Sequence, residues 1–89
     1  MKPSQYIAKG WCKEVSAKAV TGGQCKPRSS KAAKWCIYGA IERAYRDKEK
    51  QKEVISSLLN ANIGESIAAW NDRQTSKKTV IELLQSIGE

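Results

Sequence analysis

The clearest pattern in the chain is a stripe of apolar residues that keeps helical spacing from Ala33 to Tyr45. Apolar side chains recur there at intervals of three and four residues, which is the spacing of one buried face of an α-helix. Ser29 or Ser30 precedes the stripe and supplies a side chain of the kind that caps a helix N-terminus. We therefore predict an amphipathic helix after Ser30, with a buried face made of Ala33, Cys36, Ile37, Ala40, Ile41, Ala44 and Tyr45.

Two further helices are predicted on either side of this one. A short helix covers residues 5–9 and ends at Gly10, because glycine accepts the left-handed conformation at which many helices stop. Another follows Tyr45 and ends at Gly64; the charged stretch 47–51 is either a turn or the start of this helix, whose stripe includes Asn62.

The last part of the chain predicts one apolar turn and then a final helix. Residues 67–70 form the turn, and Asn71 and Asp72 break it. Thr75 or Ser76 then caps a helix whose inward residues are Val80, Ile81, Leu84 and Ile87.

Residues 11–28 follow no clean period. The sequence Thr21-Gly22-Gly23-Gln24 is a turn signal, and Pro27 limits any strand that follows it. This region is predicted to be an irregular stretch or a small β-hairpin. The expected fold is mainly α, with about four helical segments around a small Trp-rich core, and the hairpin would make it α+β.

A chain of 89 residues is expected to form a single domain, residues 1–89, stabilised by a few large side chains. Trp11, Trp35 and Trp70 are the expected anchors, and each buried indole N–H then needs an acceptor. Trp35 lies beside the apolar stripe and is expected to pack at the edge of the core or on the preceding loop. Gly39 costs a helix interior about 1 kcal/mol against alanine, which predicts that another backbone passes close to it.

The net charge of +7 is distributed unevenly. Residues 1–46 contain ten basic and two acidic residues, whereas residues 47–89 contain six basic and seven acidic residues. A basic surface attracts polyanions, with an affinity that falls steeply in salt. The candidate residues for nucleic-acid binding are therefore Lys26, Arg28, Lys31 and Lys34.

The residue types in the chain argue against catalysis and against a metal or cofactor. Histidine, the commonest general base and a frequent zinc ligand, is absent. Cys12, Cys25 and Cys36 are an odd number without a C-x-x-C pair, and we predict free thiols, with Cys36 as a small core residue. The carboxylates show no catalytic pairing. We expect a protein that is not an enzyme; catalysis by Asp72 or Cys36 is the least favoured alternative.

Three tryptophan motifs occur in order: Gly10-Trp11, then Trp35-Cys36-x-x-Gly39-Ala40-Ile41, then Trp70-Asn71-Asp72. With this ordered set, the chain resembles a family of small uncharacterised bacterial and phage proteins, a domain of unknown function, over nearly its whole length. The resemblance implies a bacterial or phage origin and no assigned activity. The chain departs from the family's usual Gly-Arg-Thr turn after Asp72, so no role of that turn is carried over.

Two functions are weighed from these observations. The first is a non-catalytic interaction module that binds a protein, and the resemblance suggests a host protein or defence complex as the target. The alternative is an accessory nucleic-acid-binding protein that uses the basic N-terminal half. Trp70-Asn71-Asp72 is either a partner-binding site or a structural corner. Without an apolar stretch of roughly 18–20 residues or a signal core, no membrane contact is expected, and a cytoplasmic location is predicted.

Overall fold

The fold combines short helices with a small antiparallel sheet, as the sequence predicts. A computed structural model describes residues 1–61 and 63–89, so Asn62 on the predicted stripe lies outside the described residues. Within those residues there are five helices and two paired strands. In chain order they are α1 (Pro3–Lys9), β1 (Ala17–Ala19), β2 (Ala32–Trp35), α2 (Ile37–Ala44), α3 (Lys48–Asn60), α4 (Ile67–Arg73) and α5 (Lys77–Ser86).

One apolar core lies between the helices and the inner face of the sheet. α1 packs against α2 and α5, and α2 also contacts α3 and α4. Of the three tryptophans, Trp35 is fully part of this core, while Trp11 and Trp70 pack against its edge. The buried cluster consists of Ile7, Ala17, Trp35, Ile37, Ala40, Ile41, Val54, Leu58, Ile67, Val80 and Leu84.

The second strand occupies positions that the apolar stripe assigned to the first turn of α2. Trp35 exchanges backbone hydrogen bonds with residues 10–12, since its N–H donates to the Gly10 carbonyl and its carbonyl accepts from the Cys12 N–H. These long-range bonds hold the backbone extended through Trp35. The helix therefore begins at Ile37, with Cys36 as its N-cap.

The predicted turn at residues 21–24 is confirmed, but it does not join the two strands directly. Gly22 donates to the Ala19 carbonyl and closes the turn after β1. Gln24 then forms an isolated bridge with Lys18, and β1 pairs on its other side with β2. The hairpin thus extends beyond residues 11–28, because its second strand comes from residues 32–35.

Two glycines allow backbones to approach closely. A Cβ at Gly39 would lie 1.8 Å from the Ser16 carbonyl oxygen, so the predicted close approach is confirmed. Gly10 does end α1, but its backbone is extended and not left-handed. Its requirement is also steric, since a Cβ there would lie 2.2 Å from the Ala33 carbonyl oxygen.

The predicted break at Asn71 and Asp72 is wrong, because both residues lie inside α4. Asn and Asp disfavour helix interiors when their side chains bond the local backbone. Asn71 instead bonds partners that are distant in sequence, so its side chain does not compete with the helix. α5 begins with Ser76 as its cap, as predicted.

Residues near the two ends of the described chain contact each other. Ser4 donates from its backbone N–H and its Oγ to the Glu89 carbonyl oxygen, at 3.0 and 2.8 Å. The Tyr45 hydroxyl donates to the Glu89 carboxylate. Burial and this carboxylate raise the pKa of Tyr45 to about 12. None of the helices in the described residues has the length and hydropathy needed to cross a membrane.

Candidate functional site

The Asn71 side chain joins three separate parts of the fold. Its Oδ1 accepts from the indole Nε1 of Trp11 at 2.9 Å and from the Ile37 backbone N–H at 3.2 Å. Its Nδ2 donates to the Cys12 carbonyl at 3.2 Å and to Asp72 Oδ1 at 3.1 Å. The residue is 1% exposed, and its two acceptor and two donor positions are all used. Asn71 is therefore structural and has no remaining capacity for a ligand.

The tryptophans of the three sequence motifs also lie in the core or pack against it. Trp35 is 4% exposed, and its indole donates to the Pro27 carbonyl at 2.9 Å, which satisfies the predicted need for an acceptor on the preceding loop. Trp11 is half-buried, and its indole N–H is held by Asn71. Trp70 is half-buried against the core. The Trp35 ring is therefore not available to stack on bases, whereas Trp11 and Trp70 are only half-buried.

Asp72 differs from its neighbour because it has accepting capacity left. Its Oδ1 accepts from Asn71 Nδ2 and from the Glu14 backbone N–H at 3.0 Å. Within the part of the chain that the structure describes, its other carboxylate oxygen accepts no hydrogen bond. The bond to Glu14 holds that residue at φ +74°, a left-handed conformation uncommon outside glycine.

A cleft of about 180 Å³ opens beside Asp72. It lies between the loop at residues 14–16, the first turn of α2 and one face of α4. We call it the Tyr38 cleft, after the aromatic residue on its wall, which is 38% exposed. Its main lining residues are Glu14, Val15, Ile37, Tyr38, Ala68 and Asp72. The cleft combines apolar walls with two acidic residues, Glu14 and Asp72.

Cys36 also lines the cleft, so its predicted place in the core is not where it lies. Its Sγ accepts from the Gly39 N–H at 3.4 Å and caps α2. Burial raises the pKa of the Cys36 thiol, and it raises the pKa of the nearby Cys12 thiol to about 11. Since the thiolate is the nucleophile, both thiols are poorly suited to covalent chemistry at neutral pH. All three cysteines are free in the structure.

No metal site accompanies these groups in the described ranges 1–61 and 63–89, where no three cysteine or acidic residues are placed to hold an ion. Asp72 bonds an amide and a backbone N–H, and neither group accepts or delivers a proton at neutral pH. The arrangement is suited to binding a hydrogen-bond donor or a positive charge.

Two arginines of the basic half, Arg28 and Arg43, bond backbone carbonyls of the fold. The Arg28 guanidinium donates to the carbonyl of Glu42 at 3.0 and 2.7 Å and to that of Tyr45 at 2.6 Å, so it bonds the C-terminal end of α2. Arg43 donates to the carbonyls of Pro27 and Ser29. Arg28, predicted as a nucleic-acid ligand, is thus already occupied.

The structure divides the remaining candidate lysines among different places. Lys26 lies with Arg28 along one groove, and Lys31 lies in another depression, beside Val20. Lys34 lies directly opposite Lys18 in the sheet, so two like charges share its outer face. No carboxylate among the described residues forms an ion pair with any of these lysines.

Sequence reasoning found Asp72, and Tyr38 as a ring that could stack on bases if exposed, but missed Glu14 and Ala68, which complete the cleft. Tyr38 lies off the apolar stripe, and an aromatic residue outside such a stripe is a weak signal of an exposed ring. Glu14 is one of the two acidic residues in the basic half, the other being Glu42. Neither signal shows that Glu14 and Asp72, which are 58 positions apart, meet in the fold.

Comparison with known proteins gives one result. A model of a family of unknown function, DUF6197, matches residues 4–88, and therefore both the Asn71 hydrogen bonds and the Tyr38 cleft. No curated protein and no solved structure matches the chain. The match spans nearly the whole sequence and supports the expectation of an uncharacterised domain. The chain belongs to the DUF6197 family, whose function is unknown.

Proposed function

We propose that this protein is a small non-catalytic module that binds another protein through the Tyr38 cleft. The observation that carries the proposal is the cleft itself, with an exposed aromatic ring, apolar walls and an Asp72 oxygen that is free to accept. Asn71 fixes the three segments around it through buried hydrogen bonds. Binding to such a preformed surface avoids the cost of ordering it.

The size of the cleft favours a protein side chain over a small molecule. Pockets for small molecules and cofactors usually measure about 300–1,000 Å³. At about 180 Å³, the Tyr38 cleft is smaller than that range. One side chain of a partner fits this volume, with the rest of the partner lying on the surrounding surface.

The resemblance found in the sequence supplies the finer part of the proposal. A bacterial or phage origin, a cytoplasmic location and a host protein or defence complex as the target are proposed on that ground alone. Modulation of such a target requires only binding, which agrees with two thiols of raised pKa and an Asp72 without a catalytic partner.

Affinity capture with two matched variants tests the proposal. Ala68→Arg places a long side chain in the cleft, and Ala69→Arg places the same side chain at the next, exposed position of α4, which does not line the cleft. Proteins captured from nuclease-treated lysate of the producing cells are compared by quantitative mass spectrometry. We expect a protein that the wild type and Ala69→Arg retain and Ala68→Arg loses. Equal capture by both variants contradicts a role of the cleft.

A nucleic acid is the second candidate partner, favoured by the lysines that have no carboxylate partner in the described residues. Fluorescence anisotropy with labelled random-sequence DNA at roughly 50 and 200 mM salt measures it, since phosphate contacts weaken strongly over that range. The variant Lys18→Ser with Lys34→Ser removes the opposed pair. Micromolar binding at the higher salt that this variant loses would support the nucleic-acid function.

A further inference from the structure

We infer that the Tyr38 cleft binds a lysine side chain of the partner protein, an inference that rests on the proposed function. The cleft has an apolar part and a negatively charged part, and lysine is a side chain with the same two parts. A lysine stem lies along apolar surface while its ammonium group stays with polar partners.

The apolar part of the cleft matches the stem. Val15 and Ala68 supply accessible aliphatic surface, and Ala68 is small enough to leave the space open. Tyr38 adds an exposed aromatic ring to the same cleft. Aromatic rings attract cations within about 6 Å of the ring centre.

The charged part of the cleft matches the ammonium group. Glu14 and Asp72 line it together, and neither forms an ion pair with a basic residue of the described chain. Cys36, which also lines the cleft, is a thiol whose pKa is raised by burial. Two acidic residues therefore line the cleft without an ion-pair partner in the described chain.

The hydrogen bonds of Asp72 favour lysine over arginine. Arginine binds carboxylates best through two parallel bonds that use both oxygens. Asp72 Oδ1 already accepts from Asn71 and from the Glu14 N–H, which leaves one oxygen. A compact ammonium group needs a single oxygen from Asp72 and has further donors for Glu14.

The surroundings of the cleft restrict the partner further. Residues 1–46 carry ten basic and two acidic residues, so most of the surface in this half repels a cation. A partner that brings a lysine to the cleft therefore needs acidic residues around that lysine to face the basic surface. The inferred recognition element is a lysine in an acidic setting.

Titration of the ¹⁵N-labelled full chain with N-acetyl-lysine methylamide tests the inference by NMR. A probe of this size is expected to bind with a Kd on the order of 10 mM. We expect the amide signals of residues 14–16, 36–38 and 68–72 to move together. N-acetyl-norleucine methylamide has an alkyl chain without the ammonium group and should leave them in place.

Matched variants separate the local carboxylates from the general charge of the protein. Asp72→Asn and Glu14→Gln should each weaken the lysine probe about fivefold, as expected for losing one ion pair. Glu14 is exposed, so Glu14→Gln tests the site even if Asp72→Asn disturbs the fold. Glu42→Gln removes the other acidic residue of the basic half and should leave the Kd unchanged.

Several results would overturn the inference: equal binding of the norleucine probe, equal effects of Glu14→Gln and Glu42→Gln, or tighter binding of N-acetyl-arginine methylamide. The inference and the proposed function can fail separately. If Ala68→Arg loses a captured protein and the lysine probe does not bind, the lysine inference is wrong and the function stands. If the probe binds and capture by Ala68→Arg is unchanged, the function is wrong while the affinity for lysine remains.

Discussion

Basic side chains have different bonding partners in residues 1–46 and in residues 47–89. In the second part, where the net charge is −1, Lys50, Lys52 and Arg73 pair with nearby carboxylates. In the first part, Arg28 and Arg43 bond backbone carbonyls, and the candidate lysines pair with no carboxylate of the described residues. The ion pairs of the second part are Lys50–Glu53, Lys50–Glu89, Lys52–Glu49 and Arg73–Glu65.

This difference separates charges that bond within the described fold from the candidate lysines, which have no carboxylate partner there. Exposed ion pairs contribute only about 0–1 kcal/mol each, so the second part is held mainly by its apolar core. The two parts share the apolar core and are also joined by buried or half-buried polar contacts, chiefly those of Asn71 and of Tyr45 with Glu89. Substitutions that remove these buried contacts should therefore affect stability far more than substitutions that change surface charge.

The largest loss of stability is expected for Asn71→Ala, which removes the side-chain hydrogen bonds between α4 and the first part. The substitution leaves the Trp11 indole, the Ile37 N–H and the Cys12 carbonyl without their partner. Each unsatisfied buried group costs about 1–3 kcal/mol, so the free energy of unfolding should fall by about 4 kcal/mol or more. Chemical denaturation measures it. Asn60→Ala, at an exposed position of α3, is the control; equal effects of both would contradict the role of Asn71.

Gly39→Ala should have the next largest effect, inside the first part alone. The new Cβ would lie 1.8 Å from the Ser16 carbonyl, so β1 and its preceding loop must move away from α2. Overpacking of this kind costs about 3 kcal/mol. Gly23→Ala, where the nearest atom lies 3.9 Å away, should change the melting temperature little. A melting temperature unchanged by Gly39→Ala would show that the close approach is absent in solution.

A smaller and pH-dependent effect is expected at the contact between Tyr45 and Glu89. The pKa of Tyr45 is raised from 10.0 to about 12 in the folded chain, so the neutral phenol is favoured by folding. Its contribution is complete below pH 10 and is lost as the pH rises towards 12. Tyr45→Phe should flatten this part of the stability profile. The difference between the two proteins is the observable, because lysines titrate in the same range in both.

The smallest effect is expected on the outer face of the sheet. Lys34→Glu changes the pair with Lys18 from like to opposite charges, which should stabilise the fold by about 0.2–1 kcal/mol. Lys31→Glu changes net charge equally and creates no such pair across β1 and β2. Urea denaturation of both variants separates the local pair from net charge. A gain that is equal in both would mean that overall charge, not the pair, is responsible.

Much of the fold follows from local patterns in the sequence. Apolar residues at helical spacing locate α2 and α5, and a glycine in a helix predicted the close backbone at Gly39. The stripe predicts helix at β2 because Ala33 fits it, whereas the bonds that make β2 a strand come from β1 and, at Trp35, from Gly10 and Cys12. Local spacing contains no information about such partners.

The candidate site could be predicted only in part, because the contacts that form it also join residues that are distant in sequence. Trp70-Asn71-Asp72, a run of one aromatic and two polar residues, predicts a binding site or a structural corner. In the structure the Asn71 side chain is buried within the fold, and Asp72 lines the cleft. The two neighbours differ in burial, since Asn71 is fully buried and Asp72 is half-buried. That difference depends on how α4 docks, and the sequence pattern placed a break there instead of a helix.

The hydrogen bonds of Asn71 have a consequence for folding kinetics. They connect positions 34 to 60 residues apart, so they form only after long loops have closed. The Tyr38 cleft therefore exists only in the completed native state, and partly folded chains lack it. A partner that fills the cleft binds the native state alone and raises its population by mass action, so that a partner at about 100 times its Kd adds about 2.7 kcal/mol to the stability.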